Sequence, residues 1–148
     1  MPAEPRCRVP CSGDAPALAT LSKQGFDPSW SDETFRQELE REITRCLALE
    51  VDGALVGYAL GWLTLDALEL HQIAIAAPHR GHGLARALLR EFCAKLRSEG
   101  CRRLALEVRP SNQAAIRLYQ GIGLELEGCR QRYYPNGEDA LLFGGNLE

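Results

Sequence analysis

The sequence predicts a mixed α/β fold, in which a central and mostly antiparallel sheet carries helices packed against it. Three observations predict it. Two apolar runs, Cys46 to Val51 and Ala54 to Leu63, meet at Asp52-Gly53, a strong hairpin signal. A third apolar run follows after one short turn, so the strands form a meander instead of alternating with helices. From Leu84 the period becomes helical, with Leu84, Leu88, Phe92 and Leu96 on one stripe and Ala85 and Leu89 beside it.

Taken in order, Arg6 to Val9 is a short strand. Asp14 is expected as an N-cap, with Pro16 in the first turn and Leu18, Leu21 and Phe26 on the apolar face. Pro28 breaks that helix. Ser31 caps a second, in which Phe35 and Leu39 lie four apart on one side. The hairpin follows, then a turn at Asp66 to Ala67 and a strand from Leu68 to Ile75. Pro78 to Gly83 is a loop, and Gly100 ends the long helix that starts at Leu84. Leu104 to Val108 reads as a buried strand. Ser111 or Asn112 caps a short helix to about Gln120, which Gly121 and Gly123 terminate. Two last strands are expected over Leu124 to Tyr133 and Ala140 to Phe143.

The chain has 148 residues, the size of one ordinary domain, and no repeat or linker divides residues 1–148. Its net charge of −3 offers no basic field for nucleic acid. No window has the apolar length to span a membrane, and Met1 to Val9 mixes prolines and charges instead of an apolar run. The expectation is a cytoplasmic protein with no membrane or nucleic-acid partner. Six cysteines, at 7, 11, 46, 93, 101 and 129, form no Cys-x-x-Cys pair and no zinc spacing with His71, His79 or His82. They are expected as structural thiols, and no metal is expected.

Arg80-Gly81-His82-Gly83-Leu84-Ala85 follows a strand and opens a helix. Helix N-termini leave amide hydrogens unpaired and carry partial positive charge, so they bind phosphate oxygens. The small residues Gly81, Gly83 and Ala85 let a ligand approach the backbone, and Arg80 and Arg86 can add charge-assisted contacts. A dinucleotide fold would want this turn in a βαβ unit, but hairpins precede it. A P-loop would want Lys and then Ser or Thr where Leu84 and Ala85 stand. A loop whose glycines serve only tight packing stays open on the turn alone.

The surrounding blocks narrow the choice. Arg80-x-x-Gly83-x-Ala85 resembles the [Gln/Arg]-x-x-Gly-x-[Gly/Ala] signature of the GCN5-related N-acetyltransferase (GNAT) superfamily. The resemblance continues through Leu104 to Arg109, Ser111-Asn112, Ala114 to Ile116, Leu118-Tyr119 and Gly123. It extends to Tyr133-Tyr134-Pro135 and Gly137 to Ala140, and upstream to Trp30-Ser31. This set is similar to the bacterial ribosomal-protein-alanine N-acetyltransferases. It covers roughly the last 80 residues closely and the first 60 loosely, read as one domain.

That resemblance implies acetyl-CoA as co-substrate and a splayed parallel strand pair in the sheet. Exposed backbone groups of Ile73, Ala74 and Ile75 would bind the pantetheine arm. Arg80, Gly81, His82, Gly83, Leu84, Ala85 and Arg86 would hold the pyrophosphate, with the His82 side chain facing solvent, and Asn112 would contact the far end of the cofactor. In place of the acidic residue usual before the signature, this chain has Ala76-Ala77-Pro78, which should slightly loosen the turn. The last strand ends Phe143-Gly144-Gly145 where an apolar run is usual.

Acetyl transfer to an amine needs an acceptor for the amine's proton, donors for the oxyanion and a proton for the departing sulfur. Backbone amides near Ile75 are candidates for the oxyanion donor. Glu107 alternates with Leu106 and Val108 on a buried strand, where a carboxylate is costly unless paired. An ion pair with Arg109 or another base is one reading of it. The resemblance implies the other, a proton acceptor. By pattern Tyr119 is an ordinary core aromatic; the resemblance implies a proton donor beside the cofactor sulfur. Tyr133 and Tyr134 precede Pro135 at a strand end, and the resemblance implies that they line a groove for a peptide N-terminus, the first expected substrate being the N-terminal alanine of a small-subunit ribosomal protein. Rival expectations are a GNAT enzyme for lysine or a small amine, a silent CoA-binding module, and a nucleotide-binding oxidoreductase.

Overall fold

In the computed structural model, which describes residues 4–147, seven strands form one sheet in the order β1-β2-β3-β4-β5-β7-β6. The elements run β1 (Arg6–Arg8), α1 (Ala15–Gly25), α2 (Asp32–Glu40), β2 (Thr44–Val51), β3 (Ala54–Thr64), β4 (Ala67–Ile75), α3 (Leu84–Ser98), β5 (Arg103–Val108), α4 (Gln113–Gly121), β6 (Glu125–Arg130) and β7 (Ala140–Asn146). All strand pairs are antiparallel except β4 with β5. Of the amino-terminal stretch read for a leader, Met1 to Ala3 lie outside the described residues. Among the described residues no helix is long and apolar enough to cross a membrane.

Consecutive strand residues point to opposite faces, and two ion-pair networks use this to place the helices. Thr44 of β2 donates to Glu38 of α2, while its neighbour Arg45 donates to Glu99 at the end of α3. Helices α1 and α2 therefore cover one face and α3 the other. Arg86 of α3 donates to the Gly121 carbonyl at 3.0 Å, which brings α4 alongside α3. The apolar stripe read from the sequence is the core contact of α3, because Leu88, Leu89, Phe92 and Leu96 are all buried. Across the sheet, Tyr58 packs edge-on against Phe35 and donates to Gln72 in the interior.

Three expectations are corrected. Asp14 does not cap α1 with its side chain. A short 3-10 turn, Ser12–Asp14, precedes the helix, and the Asp14 carboxylate accepts from the Cys11 amide at 2.8 Å and from Arg8. The Arg8 guanidinium holds that carboxyl well below the usual range, so the contact pins β1 to the start of α1. Strand β6 stops at Arg130, short of Tyr133, because Arg132 turns with a positive φ of 49° and its amide is taken by Asp139. Strand β7 continues through Gly144 and Gly145 to Asn146, since β5 pairs with it along that whole length.

The cysteines are all free. Burial pushes the Cys46 and Cys7 thiols up to about 12, which makes them unreactive packing groups.

Two irregularities in the middle of the sheet prepare the site. Leu60 pairs with Gln72 and Gly61 with Leu70, so His71 is an extra residue bulged out of β4. The parallel pairing of β4 with β5 ends at Leu70 and Leu106, leaving the last turn of β4 without a neighbour on that side. Gly61 permits the bulge: a Cβ there would sit 2.5 Å from the Glu69 carbonyl oxygen and 3.0 Å from a Leu68 methyl. Backbone cannot swing away as a side-chain tip can. Gly61→Ala is expected to cost about 2–3 kcal/mol in denaturant unfolding, and an unchanged midpoint would show that the close approach is dispensable.

Candidate functional site

Where β4 and β5 part, a cleft of about 550 Å³ opens, walled by Gln24, the end of β4, the turn before α3 and the start of α4. The backbone of Ile73, Ala74 and Ile75 forms one wall. Beyond Leu70 these residues pair only with β3, so their outward amide and carbonyl groups are free to bond an extended ligand arm.

At the far end the chain turns through a 3-10 segment, Ala77–His79, and enters α3. Gly81 and Gly83 have φ of 82° and 75°, the left-handed region, with nothing within 4 Å of where a Cβ would stand. Gly83 is the N-cap of α3, and the first intrahelical bond runs from the Ala87 amide to its carbonyl at 3.1 Å. The amides of Leu84, Ala85 and Arg86 are thus unpaired donors at the positive end of a 15-residue helix, a ready anion site.

The two arginines expected on the pyrophosphate have other partners. Arg80 donates to the Ile75 carbonyl at 2.9 Å and the Gln24 carbonyl at 3.2 Å, tying the end of β4 to α1. Arg86 holds the end of α4. Both still line the cleft, but as braces of its shape. His82 is exposed and is not part of the cleft lining. Asn112 lines the cleft and caps α4, its side-chain oxygen accepting from the Ala115 amide at 3.2 Å. Sequence reasoning missed Gln24, whose Oε1 accepts from the Ala77 amide at 3.0 Å. That contact steadies the turn that lacks its usual acid. Ala114, Ala115 and Leu118 were also missed as lining, although their i, i+1, i+4 spacing sets them on one face of α4.

Glu107 projects from β5 on the face of α2, opposite the buried Leu106 and Val108, with 23% of its side chain exposed. The ion pair considered for it does not form with Arg109. Arg130 comes within 3.7 Å instead, too long for a hydrogen bond, and is itself largely exposed. Arg109 lies over the Tyr134 ring at 4.4 Å, and Arg130 over Tyr133 at 5.6 Å. The two tyrosine rings meet edge to face at 5.2 Å. Their loop is fastened by Glu138, which accepts from the Ser111 hydroxyl at 2.9 Å and from Asn136 at 2.8 Å. Burial, then the Glu107 charge, raises the Tyr134 phenol above its ordinary value.

Tyr119 lies behind the cleft, 7% exposed, and is not part of its lining. Burial pushes its phenol up to about 12, with Tyr134 adding to the rise. Arg130 thus links Glu107 to the Tyr133 and Tyr134 pair, next to the point where β4 and β5 part.

No group of three or more His, Cys, Asp or Glu side chains among the described residues could hold a metal ion. The Acetyltransferase (GNAT) family matches residues 15–124. The N-alpha-acetyltransferase RimI of Mycobacterium tuberculosis is 36% identical over 134 residues, 86% of this chain and 83% of that protein. The [ribosomal protein bS18]-alanine N-acetyltransferase of Escherichia coli is 34% identical over 133 residues, 87% of this chain and 88% of that protein. The crystal structure of the E. coli ribosomal-protein-S18-alanine N-acetyltransferase superposes with a TM-score of 0.88 at 31% identity, covering 98% of this chain and 95% of that one. With these likenesses, the splayed strands and the open helix end have one common explanation: the chain belongs to the acetyltransferase (GNAT) family, as an N-acetyltransferase.

Proposed function

We propose that this chain acetylates the N-terminal α-amine of a protein, with the N-terminal alanine of a small-subunit ribosomal protein as first substrate. The observation that carries this is the loop of Tyr133 and Tyr134, held by Glu138 beside Glu107, where a peptide backbone could lie against two phenols. Relatives at 34% and 36% identity that are named for N-terminal acetylation support it. In this reading the 148 residues act as one catalytic domain.

The residues at the cleft suit a long ligand with an anionic middle. Backbone groups of Ile73 to Ile75 would hold the pantetheine arm, and the amides from Gly81 to Arg86 the pyrophosphate, with His82 giving only its backbone. Asn112 would meet the distal end, and Arg80 and Arg86 keep the walls in place. Acetyl-CoA supplies an acetyl group already activated as a thioester. Glu107 takes the proton that the acceptor ammonium must lose, Oε1 and Oε2 being its acceptors. The amide side of β4 near Ile75 offers donors where negative charge develops. Tyr119 keeps a proton on its phenol oxygen for the departing sulfur.

Incubation with acetyl-CoA and a panel of N-terminal peptides whose lysines are blocked, read by mass spectrometry, tests the proposal. Acetylation at the α-amine with a preference for N-terminal alanine is expected. Acetylation confined to unblocked lysine controls, or faster turnover of free small amines, would overturn it.

A further inference from the structure

His71 is the one buried side-chain nitrogen or oxygen without a hydrogen-bond partner among the described residues, its Nε2 being the orphan. A buried polar atom left unpaired is costly, so its place in the fold calls for a reason. Its strand position supplies one. Leu70 and Leu106 are the last residues paired across the parallel strands, so His71 and Glu107 are the next two along, side by side where the strands begin to part. The bulge in β4 keeps the imidazole on the face of α2, against the Trp62 ring at 4.1 Å. Glu107 projects on that same face.

We propose that His71 is the second station of the proton relay, receiving through Glu107 the proton that the acceptor amine gives up. The proton leaves the ammonium and frees the nitrogen lone pair for attack. A Glu107 oxygen accepts it, and the Glu107 O–H bond then breaks as an N–H bond forms at Nε2. The imidazolium then returns the proton to the partly exposed Glu107 carboxylate, from which it passes to solvent after the product leaves. An ordinary carboxyl, near ~4.3, is a poor match for an amine near ~8, and an imidazole near ~6.5 lies between them.

The surroundings suit both states of the ring. Burial lowers the His71 pKa below its ordinary value, so the imidazole is neutral and able to accept at neutral pH. The carboxylates of Glu69 on β4, Glu38 on α2 and Glu107 on β5 favour the imidazolium once formed, and Arg41 after α2 opposes it. Glu38 is itself fixed by the Trp62 indole at 2.7 Å and by Arg41 at 3.0 Å, so its charge is a fixed part of the field.

This inference rests on Glu107 as the acceptor, and the tests separate the two. Histidine-labelled enzyme with CoA bound is titrated by nitrogen-15 NMR, with His71→Gln identifying the signal. In Glu107→Gln the His71 midpoint is expected to fall by about 0.5 or more, because a stabilising negative charge has gone. An unmoved midpoint would overturn the relay, and this measurement needs no turnover. In kinetics, His71→Gln is expected to lower kcat/KM at neutral pH by about tenfold or more. Its acid limb should move to lower pH, with the KM for acetyl-CoA unchanged. If Glu107→Gln is slow while His71→Gln keeps the wild-type rate and profile, the relay fails and Glu107 stands. If Glu107→Gln is also at wild-type rate, the reading of the site itself fails.

Discussion

Glu107→Gln is expected to lower kcat/KM by about two orders of magnitude or more, with the deepest loss at low pH. Glutamine keeps the size and planarity of the side chain but cannot take up a proton. At low pH nearly all of the acceptor amine is protonated, and every turnover then requires that proton to be removed. At high pH the amine arrives already neutral, and the variant should recover part of the gap. Stability should change little, because the side chain is partly exposed and its nearest cation, Arg130, stands 3.7 Å away. The KM for acetyl-CoA should also hold, since Glu107 is not part of the cleft wall. A rate unchanged across the range in which amines titrate would remove Glu107 as the base and return it to the loose ion pair with Arg130.

Periodic features were legible in the sequence because one repeated contact fixes each of them. The stripe on α3 and the hairpin at Asp52-Gly53 are of this kind, and both are present with boundaries shifted by at most two residues. The glycine turn was legible for a different reason. Gly81 and Gly83 occupy conformations that other residues rarely adopt, so the residue type itself carries the backbone information.

What escaped depends on polar partners that the apolar pattern does not mark. Periodicity does not show that Asp14 would serve Arg8 and Cys11, just before it, instead of its own helix, or that Arg80 would reach the Gln24 carbonyl 56 residues away. The extent of β6 failed in the same way, since its end is set by Asp139 across the loop and not by the apolar pattern. His71 shows the limit most clearly. As one letter in an apolar run it carried no assignment, and only the bulge opposite Gly61 and the register with β5 bring it beside Glu107.

Tyr119→Phe is expected to reduce kcat by about 100-fold while leaving acetyl-CoA affinity and folding stability close to wild type. The ring fills buried space on α4, and phenylalanine fills the same space, so packing is retained. Only burial and Tyr134 perturb the phenol, with no hydrogen bond among the causes, so removing the hydroxyl is expected to break no internal hydrogen bond. If the residue were only core, the variant would be as active as the parent and at least as stable. The functional role makes the opposite demand on activity alone. With its phenol pushed up to about 12, Tyr119 stays protonated throughout the neutral and mildly alkaline range. A donor must hold its proton, so the wild-type rate should show no fall on the alkaline side that traces to this residue below about pH 10. The same burial that weakens the phenol as an acid also disfavours a bare thiolate nearby, so the two groups remain matched for proton transfer. Normal specific activity in the phenylalanine variant, measured with acetyl-CoA saturating, would leave the departing sulfur to be protonated by solvent and Tyr119 as packing.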